Sequence, residues 1–122
     1  MRSVFYVSDG TGLTAESLGR SLLTQFQEMT FRQANLPFVT DREMAEKVVE
    51  RIRQATEDDG VRPIVFSTLI DPEVREIVRL SGARFFDFIG NYTGALEEEL
   101  ATREDDGRDL PEPERPPSLG KK

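Results

Sequence analysis

The sequence predicts an α/β fold: a four-stranded, mostly parallel sheet in the order 2-1-3-4, with helices on both faces. Three observations predict it. Strand-forming runs at Val4–Val7, Phe31–Leu36, Pro63–Leu69 and Arg84–Ile89 alternate with segments of helical spacing. Val4-Phe5-Tyr6-Val7 and Ile64-Val65-Phe66 are apolar without alternation, as central strands covered on both faces must be. Every crossover between strands is long enough to carry a helix, which makes right-handed parallel connections the expected solution. At 122 residues the chain is one domain by length.

The first strand runs into Ser8-Asp9-Gly10-Thr11-Gly12, the turn around which the rest is organised. Gly10 and Gly12 allow positive φ or close approach of another group, and Ser8, Thr11 and Thr14 put hydroxyls around the same corner. Two readings stay open. Small polar residues delivered to a helix N-terminus are how open α/β sheets build anion sites. Equally, any tight strand-to-helix turn favours Gly, Ser, Thr and Asp, because one of them must cap the helix. Thr11 or Thr14 is the expected N-cap. Ala15, Leu18, Leu22, Phe26 and Met29, widened by Leu23, then form an apolar stripe at helical spacing. Glu16 suits the helix dipole but would repel a bound phosphate, unless Arg20 or a divalent cation neutralises it.

The second strand, Phe31–Leu36, carries polar insertions and ends at Pro37, so it reads as an edge. Thr40-Asp41-Arg42-Glu43 is a capping box with Val39 and Met44 as its hydrophobic staple. The helix it starts has Ala45, Val48, Val49, Ile52 and Ala55 on one face and Gly60 near its C-cap, with Glu57-Asp58-Asp59 as a solvated end rather than a metal site. The third strand, Pro63–Leu69, ends in Ser67 and Thr68. Asp71-Pro72 then supplies an N-cap and a first-position proline for a helix facing inward through Val74, Ile77 and Val78, ended by Gly82. Arg84–Ile89 is the fourth strand, closed by Gly90, with Asp87 expected to face solvent at the sheet margin rather than act as a functional acid. A last helix is expected to turn Ala95, Leu96 and Leu100 inward. The domain is drawn as 1–101. Residues 102–122 hold four of the seven prolines and no periodicity, and read as a disordered tail.

With strand one central and strand two an edge, the order 2-1-3-4 is the first part of the flavodoxin-like arrangement, whose switch point lies between strands one and three. Ser8–Gly12 and Ser67–Thr68 should meet there. The candidate phosphate-binding residues are Ser8, Gly10, Thr11, Gly12, Thr14, Ser67 and Thr68. Asp9 is the candidate catalytic acid or base, or a carboxylate for Mg²⁺. Arg20, Arg32 and Arg84 are scattered candidates for anion contact.

Composition narrows the chemistry. The chain has no cysteine and no histidine, which removes disulfides, thiolate or imidazole metal sites and a histidine general base. A formal net charge of −7, most of it before Ala101, argues against nucleic acid and anionic membranes as partners. With no leader pattern and no apolar run of spanning length, a soluble, cytoplasmic protein is expected. No G-x-x-x-x-G-K-[ST] P-loop occurs, the only Gly-Lys pair being Gly120-Lys121, and Gly10-Thr11-Gly12 is not continued as G-x-G-x-x-G.

Val7-Ser8-Asp9-Gly10-Thr11-Gly12-Leu13-Thr14-Ala15-Glu16-Ser17-Leu18, Leu23-Thr24-Gln25-Phe26, Leu36-Pro37-Phe38-Val39 and Pro63-Ile64-Val65-Phe66-Ser67-Thr68-Leu69-Ile70-Asp71-Pro72-Glu73 resemble a known family. The likeness, over residues 1 to about 101, is to the amino-terminal half of the bacterial regulatory proteins of phosphoenolpyruvate synthase and pyruvate, phosphate dikinase. The resemblance implies a bifunctional enzyme: an ADP-dependent kinase of a threonine on the dikinase, and a phosphate-dependent pyrophosphorylase that removes the phosphoryl group. It also implies ADP, phosphate and Mg²⁺ as cofactors, with the main nucleotide site in a P-loop half that this sequence lacks. Taken alone, the chain would then transfer no phosphoryl group, and could act as a dikinase-binding or small-anion-binding module. The open edge of the fourth strand would allow pairing of two copies.

Overall fold

The computed structural model describes residues 1–105, with side chains to 101. Four parallel strands, β1 (Arg2–Val7), β2 (Phe31–Leu36), β3 (Ile64–Ser67) and β4 (Arg84–Asp87), form one sheet in the order β2-β1-β3-β4. Between them lie α1 (Leu13–Leu23), α2 (Arg42–Asp59) and α3 (Pro72–Arg79), and α4 (Gly90–Asp105) follows β4. The predicted class and strand order are those observed, with every strand pair parallel. β3 and β4 are shorter than the apolar runs suggested. They stop at Ser67 and Asp87, because Leu69 and Gly90 turn their N–H groups back onto those side chains.

Residues Met1–Asn91 form one compact unit, and a second begins at Tyr92. In the first, β1 is buried on both faces and divides the core in two. Phe5, Val7 and Val65 point to one side, where they pack with Val48 and Ile52 of α2 and Val74 and Val78 of α3. Val4, Tyr6 and Phe66 point to the other, where α1 supplies Ala15. The alternation of one unbroken apolar strand thus produces both cores. Tyr6, Phe66 and Phe86 stand in register across the sheet and stack, with centroids 5.9 Å and 5.5 Å apart. α1 can approach this aromatic row because Gly19 has no side chain: a Cβ there would lie 2.4 Å from Tyr6 Cε1 and 2.8 Å from Phe66 Cδ2. Tyr6 itself is fully buried. Its hydroxyl donates to Gln33 Oε1, and burial raises its pKa.

Helix starts follow the sequence with two corrections. Asp71 caps α3 as expected, accepting from Glu73 N and Val74 N at 2.9 and 3.1 Å ahead of Pro72. The cap of α2 is Asp41 rather than Thr40; its carboxylate accepts from Met44 N at 2.9 Å. Both residue types cap well, and the extended backbone at Asp41 decides between them. α1 departs further. Its N-cap is Gly12, in the left-handed conformation at φ 86°, with no side-chain cap, so neither Thr11 nor Thr14 fills that role.

The apolar stripe of α1 also differs from expectation. α1 ends at Leu23, so Phe26 and Met29 lie beyond it; within the helix only Ala15 and Gly19 are buried, and Leu18 and Leu22, like Phe26 and Met29 after it, are about half exposed. In the second unit Leu96 and Leu100, expected to face inward, are exposed, as is Ala95. α4 is helical to Asp105, past the expected boundary at Ala101, and the remainder of the expected tail lies outside the described residues. Among the described residues no helix is long and apolar enough to cross a membrane.

At the end of α2 Glu57 and Asp58 are exposed as expected, whereas Asp59 is tied down at the amino-terminal end of the sheet. Asp59 takes a hydrogen bond from Ser3 Oγ at 2.8 Å and pairs with Arg32 at 2.9 Å. The Arg32 hydrogen bond, then that of Ser3, lowers the Asp59 pKa.

Candidate functional site

The carboxyl edge of the sheet gathers the ends of β1 and β3. Val7 stands opposite Ser67, and Thr68 N donates to Val7 O at 3.0 Å, so the turn Ser8–Gly12 and the pair Ser67–Thr68 are neighbours at this edge. The β1–α1 turn is also zipped to the loop after β2. Ser8 N donates to Leu36 O, Phe38 N to Gly10 O and Val39 N to Ser8 O, at 3.3, 2.9 and 2.9 Å. These bonds hold Phe38 at φ 59°, a left-handed conformation that a bulky residue adopts only under constraint. Its ring is nonetheless more than half exposed.

Within the turn the predicted residues divide by what their side chains already do. Ser8 and Ser67 are buried, and each hydroxyl accepts from a backbone N–H two residues on, Gly10 N at 2.9 Å and Leu69 N at 3.0 Å. They shape the strand ends. Thr11 Oγ1 has only a long contact from Leu13 N, 3.4 Å, and is exposed, as is Thr14. Thr68 is half-buried. Asp9 is half-buried too, and its carboxylate has no hydrogen-bond or ion-pair partner among the described residues. Gly10 needs no special conformation, since a Cβ there would meet nothing closer than Ser8 Oγ at 3.8 Å. Gly12 is constrained twice, by its positive φ and by Asn35, whose Oδ1 would lie 2.2 Å from a Cβ.

Asn35 is a residue that sequence reasoning missed. Its Nδ2 donates to Thr11 O and Glu16 Oε1, at 3.2 and 3.4 Å, and its Oδ1 is buried without a partner among the described residues. A polar residue inside an edge strand was the available signal, though nothing in the sequence aimed it at Gly12. Arg20 pairs with Glu16 at 2.9 Å, so the carboxylate in the first turn of α1 is compensated. Arg32 and Arg84 do not belong here: both sit at the opposite end of the sheet, Arg32 on Asp59 and Arg84 over the Phe86 ring. Asp87, at the end of β4, is not turned out to solvent. It accepts from Ile89 N and Gly90 N at 3.1 and 2.7 Å and faces Arg75 at 3.6 Å.

Chemically, this edge offers a helix start whose first N–H groups lack a side-chain cap, the hydroxyls of Thr11 and Thr14, and the Asp9 carboxylate, which has no partner among the described residues. Such a set can hold an anion and move one proton. Among the described residues no three carboxylates gather to bind a metal ion.

Comparison with known proteins gives this edge a context. Residues 4–112 match the family described as kinase/pyrophosphorylase. The chain is 50% identical over 103 residues to a phosphoenolpyruvate synthase regulatory protein of Azoarcus sp. (strain BH72), covering 84% of this chain and 37% of the relative. It is 50% identical over 99 residues to the protein of that name in Alkalilimnicola ehrlichii and 46% over 99 in Legionella pneumophila, covering 81% of this chain and 36% of each relative. The chain thus spans little more than a third of the length of the curated relatives it matches.

Proposed function

This chain belongs to the kinase/pyrophosphorylase family, and from that premise we propose that its β1–α1 turn supplies the phosphoryl-binding part of a regulatory phosphotransferase. For the complete polypeptide the activity proposed is twofold: ADP-dependent phosphorylation of a serine or threonine on a dikinase, and phosphate-dependent removal of that group as pyrophosphate. The name carried by the relatives supports phosphoenolpyruvate synthase as the partner, with pyruvate, phosphate dikinase as the related target. Because the chain spans little more than a third of the relatives' length, the activity is proposed for the whole protein rather than for these residues by themselves.

One observation carries the local reading. Of α1, α2 and α3, only α1 starts without a side-chain cap, and it does so at the β1/β3 switch point. The N–H groups of Thr14 and Ala15, with the hydroxyls of Thr11 and Thr14, would hold phosphoryl oxygens. Asp9 would accept the proton of an attacking hydroxyl, or contribute the single carboxylate that a phosphate-bound Mg²⁺ commonly takes. A lone carboxylate fits an ion shared with phosphate, not an ion held by protein alone. ADP fits less well: without a P-loop lysine, its phosphates find no cradle in these residues. The chain on its own is therefore expected to transfer no phosphoryl group.

Thermal unfolding with phosphate, pyrophosphate or ADP, each with and without Mg²⁺, tests this. Phosphate or pyrophosphate should raise the midpoint, and Asp9→Ala should remove the Mg²⁺-dependent part of the rise. An unchanged midpoint with all three ligands would sink the reading. A second reading, a dikinase-binding or small-anion-binding module without chemistry, draws on the engagement of Ser8 and Ser67 in their own backbone turns. It would be preferred if the chain bound the dikinase equally well with and without Asp9.

A further inference from the structure

Resting on the phosphoryl-binding reading of the β1–α1 turn, we propose that Asn35 is a positioning residue of that site. It makes the start of α1 receptive to an anion by holding aside two oxygens that would oppose one. The first intrahelical bond of α1 runs from Glu16 N to Gly12 O, at 2.9 Å, so the N–H groups before it are those an anion would take. Two groups beside them carry the wrong sign. The Thr11 carbonyl lies just ahead of the helix. The Glu16 carboxylate belongs to its first turn, where side chains lean back toward the N-terminus. Asn35 Nδ2 donates to both, to Thr11 O at 3.2 Å and to Glu16 Oε1 at 3.4 Å, and so draws them toward β2.

These acceptors fix the orientation of the amide. Exchanging its oxygen and nitrogen would set Oδ1 against a carbonyl and a carboxylate. The orientation adopted leaves Oδ1 buried without a partner among the described residues, against Gly12, where a Cβ would lie 2.2 Å from it. Glycine at position 12 thus admits the amide, and the amide forgoes one acceptor bond to place its N–H groups. Arg20 does not suffice for Glu16. It holds the other carboxylate oxygen at 2.9 Å, but the two side chains are 55% and 30% exposed, and an exposed i,i+4 pair constrains a carboxylate weakly. Without Asn35, Glu16 would regain the conformers that reach the helix start.

Titration calorimetry with pyrophosphate at low ionic strength tests this through charge rescue. Asn35→Ala should weaken pyrophosphate binding about five- to tenfold, the effect of one released carboxylate several ångströms from a multiply charged anion, and added salt should shrink the loss. Combining Glu16→Gln with Asn35→Ala should recover most of that loss, because the charge that Asn35 holds aside is gone. A role confined to packing would give no such rescue. Glu16→Gln alone should change binding by less than about twofold, since the carboxylate is already turned away. That single variant decides the matter even if Asn35→Ala does not fold: a gain of about tenfold would mean that Glu16 is not held aside. Equal affinities for wild type and Asn35→Ala, or a loss that Glu16→Gln leaves intact, would overturn the role of Asn35 while leaving the anion site standing. A wild-type chain that binds no pyrophosphate would overturn both.

Discussion

The two sides of the sheet are finished to different degrees. On the α2–α3 side both helices begin on an aspartate cap, and their valines, isoleucine and alanines are buried against Phe5, Val7 and Val65. On the α1 side the helix begins on a glycine with no side-chain cap, buries only Ala15 and Gly19, and leaves Leu18 and Leu22 about half in water. The same strand, β1, feeds both sides, so the difference does not lie in the sheet. One side is complete in itself, whereas the other leaves a helix start without a side-chain cap and a helix flank exposed.

Core truncation should separate the sides most sharply. Ile52→Ala, at a fully buried position, is expected to cost about 2–5 kcal/mol in denaturant unfolding, against no more than about 0.5 kcal/mol for Leu22→Ala. Similar losses for the two would mean that the α1 flank is packed after all. The helix starts should differ next. Asp71→Ala removes a cap that serves two N–H groups and should cost about 1 kcal/mol, while Thr11→Ala should leave the unfolding midpoint nearly unmoved. A large loss at Thr11 would make it a structural cap and weaken the anion reading.

The smallest effect expected is on acid stability. The Asp59 pKa is lowered in the folded chain, so its pairing contributes stability above the unfolded-state carboxyl pKa, and that contribution is lost as pH falls through the lower folded value. Arg32→Gln removes the principal cause and should shift this loss to higher pH, within the range below about 4. Carboxyl titration of Asp59 by NMR, followed alongside unfolding midpoints, reads it directly. Superimposable titrations of wild type and variant would assign the shift to Ser3 instead.

The strand order was legible because the strands differ in composition: Val4–Val7 of β1 and Ile64–Phe66 of β3 are unbroken apolar runs, whereas β2 is interrupted by Arg32, Gln33 and Asn35. The Asp71-Pro72 start was legible because a cap and a first-position proline are local chemistry. Failures arose where a distant residue decides the outcome. Gly12 displaces Thr11 as the cap of α1 because Asn35, more than twenty positions away, occupies the space a side chain would need. Periodicity identified the α1 stripe as one face, but it reports which residues share a side of a helix, not whether anything lies opposite. The candidate site was legible as a place, the convergence of the β1 and β3 ends. The division of labour within it was not, since only coordinates reveal that Ser8 and Ser67 spend their hydroxyls on their own turns while Asp9 keeps its carboxylate free.

Gly19 has a mechanical consequence. A helix that seats valines and isoleucines between neighbouring side chains, as α2 does, is geared to the sheet and cannot shift without lifting out. α1 meets its sheet through Ala15 and Gly19 lying on flat aromatic rings, with Leu23 packed at its C-terminal end. Such a contact sets how deeply the helix sits more than where it stops along its axis. The stop is at one end, where Asn35 closes around Gly12 and holds Thr11 and Glu16. One side chain of β2 therefore sets both the start of α1 and the turn that carries Asp9.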